Sequence, residues 1–226
     1  MRITGLMSLV LAATFALGGC TSKSDKKTAE GVNVLRKMLT ANVRTLDSAD
    51  AYDAISWDVL PNIVEPPLQY HYLKRPYTLE PLLSDGMPEM SKDGLTLTMK
   101  IKKGIRYQDD AAFKDGKGRE VVADDFIYAW KRIADPANRS QGFFIFDKKI
   151  VGINDYRTKL GKKEIKFDAP VEGMTALDKY TVQLKFTKPY PQILHILAMP
   201  FTAPVPHEAL TKYVGFPTPP DWNRPI

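Results

Sequence analysis

At 226 residues, 44% of them hydrophobic and 26% charged, the chain is long enough to bury one sizeable core or two small ones, and its composition excludes both a disordered chain and a polytopic membrane protein. The net charge is +6, with basic pairs at Lys26-Lys27, Lys102-Lys103, Lys131-Arg132, Lys148-Lys149 and Lys162-Lys163. Each pair sits beside acidic residues or in an expected turn and no RNA- or DNA-binding motif accompanies them, so they read as solvated surface and nucleic acid is not an expected partner.

The first 19 residues carry one charge, Arg2, and an uncharged run from Ile3 to Leu17 that is short for a membrane span of about 20 residues. That pattern predicts an export signal over residues 1–19. The run ends in Leu17-Gly18-Gly19-Cys20, which resembles the bacterial lipobox, where the cysteine is acylated and becomes the new N-terminus. Cys20 is the sole cysteine, so an intramolecular disulfide is excluded and a lipid attachment point explains it better than a redox centre. Cut there, the chain keeps 31 basic against 26 acidic residues, a charge of +5. Residues 20–30 then form the lipidated cysteine and a polar tether without large apolar side chains. The body is expected in the cell envelope, held on the periplasmic or extracellular face of a membrane.

Val32, Val34 and Leu35 open a short β-prone segment. After the loop at Thr45-Leu46-Asp47, a stretch from Asp53 with Ile55, Val59, Leu60, Ile63 and Val64 predicts an amphipathic helix, capped by Asp53 or Ser56 and kinked or delayed by Pro61. Met87 to Ser91, the turn Lys92-Asp93-Gly94, and alternating Leu95, Leu97, Met99 and Ile101 predict a β-hairpin. Ala123-Asp124-Asp125 opens a helix with Phe126, Ile127, Trp130 and Ile133 on one face, closed by Pro136. Tyr180, Val182, Leu184 and Phe186 alternate as a strand ending at Pro189. Seven prolines crowd residues 200–226, and the chain reaches Arg224-Pro225-Ile226 with no closing helix or strand expected. The fold class is α/β in the mixed α+β sense.

Catalytic chemistry has little foothold. His71, His195 and His207 are isolated, without zinc-ligand spacing, so no metal is expected. Asp109-Asp110, Asp115 and Asp124-Asp125 are the densest carboxylates. A pair of them at the right separation would suit glycoside hydrolysis, but turns and a helix cap explain them more simply. Asp115-Gly116 lacks oxygen side chains at the two preceding ligand positions of a calcium loop, Ala111 and Phe113. No nucleophile elbow, phosphate-binding loop or dinucleotide fingerprint is present, so neither a cofactor nor enzymatic activity is expected.

Four ordered segments resemble the family 5 extracellular solute-binding proteins, which include oligopeptide-, dipeptide- and nickel-binding proteins. They are Thr45-Leu46-Asp47 with Asp53, Ala54 and Asn62-Ile63-Val64-Glu65; the hairpin from Ser91 to Tyr107; Val122 to Phe126 with Trp130-Lys131-Arg132 and Asp135-Pro136; and Leu177 to Val182 with Lys188-Pro189-Tyr190-Pro191 and Val205-Pro206. The chain departs from the family pattern at Asp110 and Pro66, where a glycine is usual.

The resemblance implies a periplasmic-binding-protein-like clamp of type II, in its peptide-binding cluster. Residues 31–66 and 190–226 would belong to the first lobe and residues 67–189 to a small accessory domain, with the second lobe beyond Ile226. It further implies an ABC importer whose permease receives a peptide or related small solute from a monomeric, membrane-tethered binding protein. The main chain at Tyr52, Asp53 and Ala54 would pair with the ligand backbone, and the carboxylate holding a peptide's N-terminal amine would come from the second lobe. A different reading is an envelope lipoprotein whose partial clamp acts only as an interaction or scaffolding surface.

Overall fold

The computed structural model describes residues 37–213; Cys20, the export signal, the tether and the β-prone segment at Val32 to Leu35 lie outside the described residues. The first regular element is a helix, α1 (Ala54–Val59), which continues as a 3-10 turn over Leu60–Asn62. Asp53 caps α1, its Oδ1 accepting from the Ser56 N–H at 2.8 Å. Pro61 stands at the start of the tighter turn, where its missing N–H costs nothing. The expected amphipathic stripe is only partly realised, for Leu60 is buried while Ile63 is exposed.

Two sheets follow. A small one pairs β1 (Leu68–Tyr70) with β2 (Leu79–Pro81) antiparallel, Gln69 opposite Glu80. The main sheet is antiparallel and built from β3 (Glu89–Met90), β4 (Thr96–Lys100), β5 (Met174–Asp178) and β6 (Thr181–Lys185), in the order β3-β4-β6-β5. The β3–β4 turn forms because Gly94 adopts φ 70°, which a Cβ would strain, and because Asp93 Oδ1 accepts from the Leu95 N–H at 3.0 Å. β5 was not expected, since Thr175, Leu177 and Asp178 put no apolar alternation on it. The bulge between Ala176 and Asp178 and the pairing with β6 define it instead.

Two helices flank this sheet in sequence, α2 (Ala123–Ala134) and α3 (Ile153–Gly161). α2 packs across β5 and β6, burying Phe126, Trp130 and Ile133 against Leu97 and Met99 of β4 and Val182 and Leu184 of β6. Period two on the strands and period 3.6 on the helix thus meet in one core. The expected solvated pair Lys131-Arg132 is buried instead, each residue only 7% exposed. Lys131 donates to the Ala169 carbonyl at 2.9 Å and lies over the Tyr156 and Phe167 rings, while Arg132 is held by Asp47. Paired cations of this kind tolerate burial where solvated ones do not.

After α4 (Ile193–Ile196), the described part of the proline-crowded stretch contains a 3-10 turn at Pro200–Thr202 and a helix where none was expected, α5 (His207–Tyr213), which starts directly after Pro206. This stretch closes the core: the Trp130 indole N–H donates to the Thr202 carbonyl at 3.1 Å, and the Leu68 N–H to the Leu197 carbonyl at 3.0 Å. From Leu39 onward the described residues form one compact unit. No helix among them is long and apolar enough to cross a membrane.

Candidate functional site

The segment that presents Tyr52, Asp53 and Ala54 is fixed from below. Asp47 shapes a turn, its Oδ1 accepting from the Ala49 N–H at 3.0 Å and its carbonyl from the Ala51 N–H at 2.8 Å. Arg132 of α2 then grips both Asp47 oxygens, at 3.0 and 2.6 Å. This fork-to-carboxylate pair is directional as well as strong. Ala51, fully buried, accepts from the Trp57 indole N–H at 3.0 Å.

The chain then surfaces. Tyr52 is 49% exposed, its ring stacked on Phe201 at 6.3 Å and met edge-on by Phe144 at 6.2 Å. Trp57 meets Phe201 edge-on at 5.1 Å, so a run of four rings backs this edge. Such ring pairs hold their orientation better than aliphatic contacts do. The Asp53 carbonyl accepts from the Trp57 N–H as α1 begins. Among the described residues, however, neither the Tyr52 N–H nor its carbonyl has a protein partner. A backbone donor and acceptor left open beside an aromatic shelf form a place where an extended chain can pair without its side chains being read.

Asp53 is fixed by the helix it caps. Partial burial acts to raise its carboxyl, but hydrogen bonds from the Ser56 N–H and hydroxyl and from Arg44 outweigh that and hold it below the usual carboxylate range. Arg44 also donates to Asp50 Oδ2 at 2.9 Å. Asp53 therefore remains an anion whose lone pairs are already engaged. A groove lies beyond the end of α1, beside β1, lined by Val64, Glu65, Gln69, Tyr70 and Ala198. There the Tyr70 hydroxyl is 2.9 Å from His195 Nδ1.

The remaining sequence candidates disperse. Asp109 accepts from Lys117 at 2.6 Å and from the Gly118 N–H at 3.0 Å. Asp110 accepts from the Ala112 N–H and from the Tyr213 hydroxyl, and Asp115 lies in a left-handed turn at φ 57°. Asp124 is exposed in the first turn of α2, while Asp125 is buried under Arg119, which meets its two oxygens at 2.7 and 2.6 Å. Glu208 of α5 takes the rest of that guanidinium. Of the histidines, His71 accepts from the Leu73 N–H and His207 lies 3.4 Å from Glu208. Among the described residues no group of three or more histidine, cysteine or carboxylate side chains is placed to hold a metal.

Sequence reasoning had missed Phe144, Phe201 and Arg44 as neighbours of Tyr52. Phe144 and Phe201 sit in 3-10 turns, where no apolar period marks them.

Comparison with known proteins bears on the family and the fold. Residues 78–223 match the family model for bacterial extracellular solute-binding proteins, family 5, middle region. The chain is 29% identical over 207 residues to the dipeptide-binding protein DppE of Bacillus subtilis, covering 88% of this chain and 35% of that one. It is 28% identical over 192 residues to the oligopeptide-binding protein AmiA of Streptococcus pneumoniae, covering 84% of this chain and 27% of that one. Among solved structures, peptide-bound OppA of Listeria monocytogenes superposes with a TM-score of 0.61 at 22% identity, over 76% of this chain and 30% of that one. The chain thus spans about a third of the length of the relatives it matches. Its mixed α and β architecture is part of the type II clamp of the peptide-binding proteins. From the family model and the shared fold together, the chain belongs to the family 5 bacterial extracellular solute-binding proteins.

Proposed function

We propose that this chain is the N-terminal portion of the substrate-binding lipoprotein of an ABC importer, capturing peptides outside the cytoplasmic membrane and delivering them to the permease. The open backbone donor and acceptor of Tyr52, against the Tyr52, Phe144 and Phe201 rings, carry the reading. A peptide in extended form would add to that edge as a strand, with Asp53 and Ala54 continuing the contact. The names of the relatives, dipeptide- and oligopeptide-binding proteins, favour peptide over nickel, haem or sugar.

In this reading the signal of residues 1–19 is removed, Cys20 carries lipid, and the body works as a monomer in the envelope. Residues 31–66 and 190–226 belong to the first lobe and residues 67–189 to the accessory domain. Ligand is enclosed when a second lobe closes, so affinity belongs to the clamp as a whole.

The test is calorimetric titration of the full-length gene product with peptides of two to five residues and with single N-methyl groups walked along the best binder. One methylated amide should weaken binding about tenfold, the loss of one backbone hydrogen bond. Uniform affinity along the methyl series would remove strand pairing. Binding of nickel, haem or a sugar in place of every peptide would remove the ligand class.

A further inference from the structure

The tip of the β1–β2 hairpin is an exposed apolar and cationic knob. Within eight residues Tyr70, Tyr72, Leu73 and Tyr77 are all exposed, Tyr72 at 88% and Leu73 at 76%. Lys74 and Arg75 stand between them, also exposed, and residues 66–79 contain no aspartate or glutamate. Single exposed apolar residues are ordinary on a protein surface, but a cluster at a protruding tip is not.

The tip is braced by its own bonds. The His71 N–H donates to the Thr78 carbonyl at 2.8 Å, closing the loop, and His71 Nδ1 accepts from the Leu73 and Lys74 N–H groups at 3.2 and 3.3 Å. Arg75 donates to the Lys74 carbonyl at 2.9 Å and lies 4.4 Å over the Tyr77 ring. Tyr77 meets Tyr70 edge-on, and the Tyr70 hydroxyl reaches His195. The backbone is thereby held in a shape that leaves Tyr72 and Leu73 exposed among the described residues.

We propose that this tip seats against an anionic lipid surface. Tyrosines with an apolar body and a polar end, a leucine, and two flanking cations are the composition favoured at a bilayer's headgroup boundary. The positive charge, with no carboxylate in residues 66–79, complements anionic headgroups. An exposed hairpin tip fits the deformable face of a bilayer, whereas protein partners take such side chains into preformed pockets. The proposal rests on the lipoprotein reading, in which acylated Cys20 keeps the body beside a membrane and raises the tip's local concentration there.

The test uses the full-length lipoprotein carrying Leu73→Cys. With Cys20 acylated, position 73 is the only free thiol within residues 1–226; any cysteine elsewhere in the full-length protein is changed to serine, and a polarity-sensitive fluorophore attached at 73 reports its surroundings. The protein is reconstituted in phosphatidylcholine vesicles with or without phosphatidylglycerol, and Lys162→Cys serves as an exposed control position. The fluorophore at 73, but not at 162, should become apolar on the anionic vesicles. Lys74→Gln with Arg75→Gln should reverse this by about 25-fold in partitioning, about fivefold for each cation. A fluorophore that is water-like on both vesicles overturns the proposal. So does one equally apolar on both, which would leave anionic headgroups no part in seating the tip. Failure of the lipoprotein reading shows separately, as a second label on Cys20 by intact mass.

Discussion

Arg132 and Asp47 lie 85 positions apart, both largely shielded from water, and the stretch that presents Tyr52 depends on them. Removing one partner of such a pair strands the other charge, so Asp47→Ala should cost about 3–5 kcal/mol of unfolding free energy. Replacing both with apolar residues of similar volume, as in Asp47→Leu with Arg132→Met, should recover most of that. Urea denaturation of the three variants checks it: a double variant as weak as Asp47→Ala would mean that the turn needs the carboxylate itself. The carboxylate already accepts the Ala49 N–H, which makes a full recovery the more demanding outcome. Neither residue announced this from the sequence. Arg132 reads as the outward half of a basic pair, because a one-dimensional pattern cannot show that an acid 85 residues earlier lies over it.

At the scale of elements, what could be read ahead of the structure divides along local physics. The β3–β4 turn and the α2 face follow from Asp93-Gly94 and from Phe126, Trp130 and Ile133, whose spacing alone sets where they point. β5 could not be read this way, since it is a strand only by virtue of pairing with β6 through a bulge. The loop before α2 shows a third situation, a backbone approach legible in neither pattern nor propensity. A Cβ on Gly118 would fall 1.9 Å from the Tyr107 carbonyl oxygen, a contact with main chain that no rotamer relieves. Gly118→Ala should therefore destabilise by about 2–3 kcal/mol despite its ordinary φ. Gly116→Ala, with open space around its Cβ, should cost only its strained backbone conformation, about 1 kcal/mol. Thermal melts of both variants compare them, and equal losses would show that the loop simply moves aside. The same division holds at the candidate site: the Asp53 cap is legible locally, Tyr52 to Ala54 enter as ligand contacts only through the family resemblance, and the rings behind Tyr52 come from turns without periodicity.

Across the whole molecule, Glu120 joins three separate stretches. It accepts from the Gly104 N–H after β4, from Lys179 in the β5–β6 turn, and from the Tyr180 hydroxyl. Lys179 above all, followed by the Gly104 N–H and the Tyr180 hydroxyl, lowers its pKa from 4.5 to about 2. A carboxyl depressed in the folded state stabilises it fully above the unfolded value and progressively less as pH falls toward the folded one. The contribution of Glu120 is therefore present above about pH 5 and disappears between there and pH 2. In Glu120→Gln the acid limb of a stability-against-pH curve should be shallower over that window. Identical limbs would mean that other carboxylates govern acid unfolding.

The two long bonds that close the core, Leu68 to Leu197 and Trp130 to Thr202, bind early residues to late ones. A polypeptide is delivered from its N-terminus, whether by a ribosome or through a translocation pore. The hairpins and α2 can assemble as they emerge, yet their shared interior has no lid until α4 and the turn at Pro200–Thr202 arrive. Until then the Trp130 indole has no carbonyl to meet and the core lacks Ile193, Leu197 and Phe201, which leaves the nascent chain dependent on whatever shields it during that interval.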